Sequence, residues 1–415
     1  MEKRVEKDAY KLNYRLLAKS IILFFTVYSI HFKHLPITIR ITVMLIVSIY
    51  CIFKERLIKL KNGEIIWIFS NLIVVLFTAV SMYYNESFFS NNELPIAPVV
   101  NFFIFVVIFP IVSIDLFVDD LEFCKAMGIA GFVQSIIVIL SAMTPQMRSF
   151  LEKVQDIDFS RYDFRIVGLG IAGSGGSIYL FCGFFALAYY ILIQGELKTS
   201  SIVLLSVNFV STMLVGRTGF YAAIIVFAFV IYRLVKRNGL NVLKLFLYVF
   251  LCLVGIIISY NLLVSIFDTN TDVLEYTRRR MWEILEGKES YTVEILSKWD
   301  AHLPPLDLRM MFIGTGVVRG LTNDGVKISH DGGYAKRYAS IGLLMAIYSY
   351  SIYYFYVLKK ILSSKEKERK QFLLLILILM VVIEYKEPFI YQLALPFVVL
   401  MIVTLNEKRG KNNAV

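Results

Sequence analysis

The chain has 415 residues, of which 58% are apolar and only 18% charged, with a formal net charge of +11. Soluble domains sit near about 45–50% apolar and about 25% charged, so a water-soluble globule is excluded. Disorder needs low hydrophobicity and is excluded too. What remains is an all-α polytopic membrane protein.

A spanning helix needs roughly 20 mostly apolar residues. Twelve candidate stretches follow in chain order: 16–32, 35–53, 65–84, 94–114, 123–143, 167–193, 200–215, 219–235, 243–267, 339–358, 372–383 and 388–405. No cleavage-site pattern follows the first run, which reads as a retained helix. The whole chain, 1–415, reads as a single integral membrane domain. Cys51, Cys124, Cys182 and Cys252 fall in or beside apolar runs, so no disulfide framework or cysteine metal site is implied.

Lys and Arg in short flanks set orientation. With the N-terminus cytoplasmic, the inside segments carry about 24 of them and the short outside loops about eight. An even span count then puts both termini inside. The excess positive charge is therefore topological, and nucleic acid is not an expected partner.

Two outside segments are longer than connectors. One is 144–166, the first sizeable outer loop. The other, 268–338, lies between spans 9 and 10 and holds Trp282 and Trp299. Loops beyond about 12–15 residues are usually functional or disordered. The helical spacing of "EYTRRRMWEILEG" and the Pro304-Pro305 punctuation point to a small folded cap.

The outer face gathers isolated cations at membrane depth: Arg165 in "RYDFRIVG" and Arg217 in the tight turn "GRTG". Such an arginine is costly unless it is paired or faces water. Each reads either as a snorkelling side chain paired with a carboxylate or as a clamp on an anionic group. Phosphate suits the planar guanidinium fork. His330 opens "HDGGYAKRYASIGLL" just before span 10, with Asp331 adjacent. A neutral imidazole there can take a proton from an attacking hydroxyl, although a surface or structural histidine fits the spacing equally. His31, His34 and His302 read as interfacial or surface residues. Arg278, Arg279 and Arg280 read as a solvated helix face or a reserve phosphate contact. "GLGIAGSGGS" (168–177) favours close helix packing over a phosphate loop. "GTG" at 314–316 lacks the context of a nucleotide fingerprint. Asp115, Asp119, Asp120 and Glu122 form an acidic cytoplasmic loop without metal-ligand spacing.

The order of parts resembles the bacterial O-antigen and capsule repeat-unit polymerases of the Wzy type, which are related to the O-antigen ligases. "RIVGLG" (165–170) resembles the Arg-x-x-Gly element entering a span. "GRTG" resembles that family's Ser-Arg-Thr/Ser-Gly turn, with Gly216 where Ser is commoner. "FIGTG" followed by "HDGGYAKRYASIGLL" resembles the stretch closing the large loop, with Asp331 where the ligases often have Asn. The resemblance implies a GT-C-like glycosyltransferase that polymerises undecaprenyl-pyrophosphate-linked repeat units at the outer face of the cytoplasmic membrane. It needs no metal, cofactor or nucleotide sugar. His330 would be the base, and Arg165 and Arg217 the pyrophosphate clamps. Arg278, Arg279, Arg280, Arg319, Asp331 and Tyr334 would be substrate contacts. The implied partners are the lipid-linked glycan donor and acceptor, membrane lipids and a chain-length regulator. An O-antigen ligase is the near alternative, and a lipid-linked oligosaccharide flippase or transporter is the alternative of another class.

Overall fold

The computed structural model describes residues 2–28, 30, 32–33, 39–55, 60–87, 93–155, 166–195, 198–238, 307–322, 327–328, 332–388 and 394–412. About 84% of them are helical, and two short hairpins supply the strands among them. The helices are α1 (Glu2–Val27), α2 (Ile39–Glu55), α3 (Asn62–Tyr84), α4 (Ile96–Leu116), α5 (Asp120–Met143) and α6 (Pro145–Val154). After the hairpin β1 (Val167–Gly168) and β2 (Ile171–Ala172) come α7 (Gly173–Gln194), α8 (Thr199–Val215) and α9 (Arg217–Asn238). The short α10 (Leu308–Phe312) and the hairpin β3 (Gly320–Leu321) and β4 (Lys327–Ile328) precede α11 (Gly333–Ile341), α12 (Leu343–Ser363), α13 (Lys367–Lys386) and α14 (Ala394–Asn412). Five of these, α3, α4, α5, α7 and α9, are long and apolar enough to cross a membrane. The chain is an all-α fold compatible with embedding in a bilayer.

Two expected spans begin differently from their apolar runs. The run 167–193 opens with the β1–β2 hairpin, and its helix starts only at Gly173. Gly170 (φ 76°) and Gly173 (φ 63°) take a left-handed conformation that ends regular structure. The run 339–358 is split at Gly342 (φ 80°), so α11 and α12 meet at a break. The segment 144–166 is partly helical, as α6. The ninth expected span, 243–267, lies outside the described residues, as do Cys252, Trp282, Trp299, His31, His34 and His302.

The core forms around α7, whose apolar stretch is 83% buried against 33% for α3 and α9. It packs on α5, α8 and α9. One close approach is Gly131 on α5 against Gly183 on α7, where a Cβ on either would stand 2.7 Å from the other's Cα. Small residues let backbones meet at such a crossing. Beside it Ser135 shares a buried hydrogen bond with Ser211 (2.6 Å) and donates to Asn208 (3.1 Å), fixing α8. Cys51, Cys124 and Cys182 are buried and form no disulfide among the described residues.

Charge inside the bundle is partnered wherever it performs a structural task. Arg40 is buried and donates to the carbonyls of Thr26 (2.8 Å) and Val27 (2.7 Å), closing the C-terminus of α1. Its guanidinium stands 4.8 Å over the Phe105 ring. Phe105 lies in a π turn, Phe103–Ile108, within α4. Pro110, two residues on, lacks the donor that a regular helix needs there, and a widened turn accommodates it.

The acidic segment around 115–122 is a helix entry rather than a loop. Asp119 caps α5 by accepting from the Glu122 amide at 2.8 Å. Each acid then takes a cation: Glu122 pairs with Lys19 (2.6 Å), Asp115 with Lys408, and Asp119 with Arg409 (3.5 Å). Asp120 is fully buried against Arg369 and accepts from the Tyr189 hydroxyl at 2.6 Å. Lys360–Glu407 (2.7 Å) and Arg237–Glu368 (3.3 Å) lie at the same, basic end of the bundle. Removing one partner of a buried pair costs about 3–5 kcal/mol, whereas replacing both by apolar groups is often neutral. Arg369→Met is therefore expected to lower unfolding free energy by about that amount, and Asp120→Leu with Arg369→Met to regain most of it. Unfolding titrations in mixed micelles check this.

Candidate functional site at the loop end

At the end opposite the basic cluster, residues 166–170 and the "GRTG" segment meet α7 from two sides. The Leu169 carbonyl accepts from Gln134 Nε2 at 2.9 Å, and the Gly170 amide donates to Gln155 Oε1 at 2.5 Å. The Val167 carbonyl accepts from Ser141. A side chain at Gly170 would strike the Tyr28 carbonyl, so this glycine serves packing. In "GRTG" the Gly219 amide donates to Ser177 Oγ at 3.0 Å, and Gly219 lies directly on the Ser177 backbone. Only a residue without Cβ lets α9 start so close to α7.

That packing aims Arg217 from the first turn of α9. It is half-buried and has no hydrogen bond or ion pair among the described residues. The neighbouring Thr218 hydroxyl is buried without a hydrogen-bond partner among them. A helix N-terminus carries partial positive charge, so a guanidinium there is doubly unfavourable without an anion.

"FIGTG" (312–316) is an anchor. Ser81 donates to the Ile313 carbonyl (2.7 Å), Asn85 to that of Gly314 (3.1 Å) and Ser87 to that of Thr315 (3.1 Å), all from the end of α3. The amides of Thr315 and Gly316 donate to Ala339 (2.8 Å) and Ser340 (3.0 Å). They thereby satisfy carbonyls that the end of α11 leaves open. The stretch therefore ties α11 to α3.

Held in this way, α11 forms one wall of an open groove of about 670 Å³ between itself, α12 and α13. Tyr334, Tyr338, Tyr350 and Tyr354 line it among aliphatic side chains. Tyr334 donates to the Val381 carbonyl at 3.0 Å, and its ring centroid is 4.9 Å from that of Tyr350. Tyr350 donates to the fully buried Glu384 at 2.5 Å. Gly333 lies against the same carboxylate, so the N-terminus of α11 rests on a negative charge. Arg337, buried on α11, donates to Ser349 at 3.1 Å. Burial draws its pKa down to about 10, while Tyr350 and Glu384 pull it up. The guanidinium therefore stays charged at neutral pH.

Of the residues expected at the site, Arg217 and Tyr334 come to the same end. The contact Arg237–Glu368 sets α9 antiparallel to α13, and Tyr334 meets α13 near its other end. Arg319 is exposed in an isolated backbone bridge to Glu93, just before β3, and it does not line the groove. Arg165, Arg278, Arg279, Arg280, His330 and Asp331 lie outside the described residues. Arg337 and Glu384 were not expected. Glu384 ends an apolar run, and an ionisable residue in that position marks a site by default. No group of three His, Cys, Asp or Glu side chains converges as a metal site among the described residues.

Glu384→Ala removes the carboxylate that offsets buried Arg337 and is expected to cost about 3–5 kcal/mol. Tyr350→Phe, which removes one donor to a buried acceptor, is expected to cost about 1–3 kcal/mol. Thermal unfolding of the purified variants distinguishes the two. In comparisons with known proteins, no family model matches the chain and no curated protein matches it either.

Proposed function

We propose that the chain is a glycosyltransferase that joins undecaprenyl-pyrophosphate-linked oligosaccharide repeat units into O-antigen or capsular polysaccharide. It works at the outer face of the bacterial cytoplasmic membrane, with both termini inside. The observation that carries this reading is Arg217, a half-buried arginine at the positive end of α9, unpaired among the described residues and beside a hydroxyl that is likewise unsatisfied among them. An anion relieves all three at once, and pyrophosphate offers the oxygen pairs that a guanidinium binds two at a time. The aromatic groove beside α11 supports the same reading, because a polyprenyl donor needs an open apolar channel next to its charged head.

In the proposed reaction, a hydroxyl of the acceptor's terminal sugar attacks the anomeric carbon of the growing chain. The bond from that carbon to the pyrophosphate oxygen breaks, and the hydroxyl proton passes to His330. Negative charge builds on the departing pyrophosphate, where Arg217 and Arg165 stabilise the transition state more than the ground state. Asp331 orients the imidazole. Tyr334 contacts the substrate, and Arg278, Arg279, Arg280 and Arg319 contribute from the large outer loop. Closure of that loop limits hydrolysis of the donor.

Loss of one such charged contact typically costs about 10²–10³ in rate. Arg217→Ala, expressed at wild-type level in a deletion strain, is expected to leave glycan at a single repeat unit, and Arg217→Lys to restore short chains. Gel ladders of surface glycan report both. Full ladders from Arg217→Ala would overturn the assignment. Long lipid-linked chains in the deletion strain with none attached would make the protein a ligase instead.

A further inference from the structure

A second groove, of about 470 Å³, opens at the basic end between α3 and α12 and shares Phe355 with the first. Its polar mouth is formed by Lys61, Lys359 and Lys360, and its deeper wall by Ile66, Ile352 and Phe355. Phe355 and Ile66 are exposed to the surroundings of the bundle. From the mouth at Lys61 to Ser70, which also lines the groove, α3 rises by nine residues, or roughly 14 Å. That depth takes a charged head and the start of a hydrocarbon chain.

Two carboxylates share the mouth, and both are engaged. Glu407 accepts from Lys360 at 2.7 Å. Glu64 accepts from the Lys61 amide at 2.9 Å and stands 4.0 Å from Lys61 Nζ. Lys359 is left over: exposed, with no ion pair or hydrogen bond among the described residues. Between head and tail stands Trp67, only 2% exposed and stacked on Tyr356 with centroids 4.4 Å apart. Its indole N–H is buried with no hydrogen-bond partner among the described residues. A buried donor of that kind costs free energy until an acceptor reaches it.

We infer that this groove binds an acidic glycerophospholipid of the cytoplasmic leaflet. Its phosphate would lie against Lys359 and Lys61, an ester or phosphate oxygen would accept from Trp67, and an acyl chain would run along Ile66, Ile352 and Phe355. Basic pockets between helices at the cytoplasmic side have the charge that anionic headgroups seek. Trp and Tyr favour the same interfacial depth. The site is separate from the proposed catalytic end and goes beyond that reading.

The test is native mass spectrometry of the full chain in detergent, with phosphatidylglycerol or phosphatidylcholine of identical acyl chains. Wild type is expected to retain phosphatidylglycerol about tenfold better. Lys61→Gln with Lys359→Gln should abolish the preference, since each basic side chain near the surface contributes about a few-fold or more. Arginine at both positions should keep it, and Trp67→Phe should weaken retention about threefold. Both lysines are at the surface, so the glutamine pair folds whether or not the Trp67 variant does. Equal retention of the two lipids, or a preference surviving in the glutamine pair, overturns the proposal. Displacement of the lipid by millimolar glycerol phosphate would show a soluble phosphate site and overturn the lipid assignment.

Discussion

The ion pair of Asp120 with Arg369 governs how the bundle is closed. Each charge alone would carry a desolvation penalty of several kcal/mol in the interior, so neither helix can hold its residue without the other. The pair also recruits Tyr189 from α7, Asn406 from α14 (3.3 Å from Arg369) and Glu366 (2.5 Å) from the turn before α13. Four helices are thereby fixed at one end by a single polar knot. Around it the remaining acids at the end of α4 and the start of α5 take their own cations from α1 and α14. The rigid end and the crossing of Gly131 with Gly183 leave little freedom in how α5 and α7 meet.

The loop end is organised differently. Its polar groups are mostly spent on holding chain segments in place: Ser81, Asn85 and Ser87 grip the 312–316 stretch, and Gln134 and Gln155 grip the hairpin before α7. Arg217 stands out because the same rules that partner Arg40, Arg369 and Arg237 leave it with no protein partner among the described residues. The loop end thus combines, on rigid helices, an arginine unpartnered among the described residues with an open aromatic groove at the same end.

Much of the helical architecture was legible from apolar runs alone, because spans of that length and composition have few alternatives. The misses have local causes. Gly170, Gly173 and Gly342 lie within apolar runs that hydropathy reads as continuous, yet their left-handed backbone breaks the helices. The acids near 115–122 looked like a loop because their partners, Lys408, Arg409 and Arg369, are remote in sequence. The same remoteness hid Glu384 and Arg337, whose burial depends on α11 folding back onto α13. Arg217 was visible because its turn is short and its neighbours apolar. That no described residue pairs with it is visible only in the folded structure. "GTG" carried no nucleotide signal, and its role as an anchor depends on α3, more than two hundred residues earlier.

Asp120 and Arg369 are 249 residues apart. At roughly 5–20 residues per second of synthesis, the acid emerges on the order of 12–50 s before its guanidinium exists. The stretches that will become α5, α7 and α8 therefore reach the bilayer with their polar knot incomplete. They must keep Asp120 near water or near lipid headgroups until α13 and α14 arrive. A chain that stops before residue 369 lacks this guanidinium and Asn406, so the last two described helices act as the latch that completes the knot.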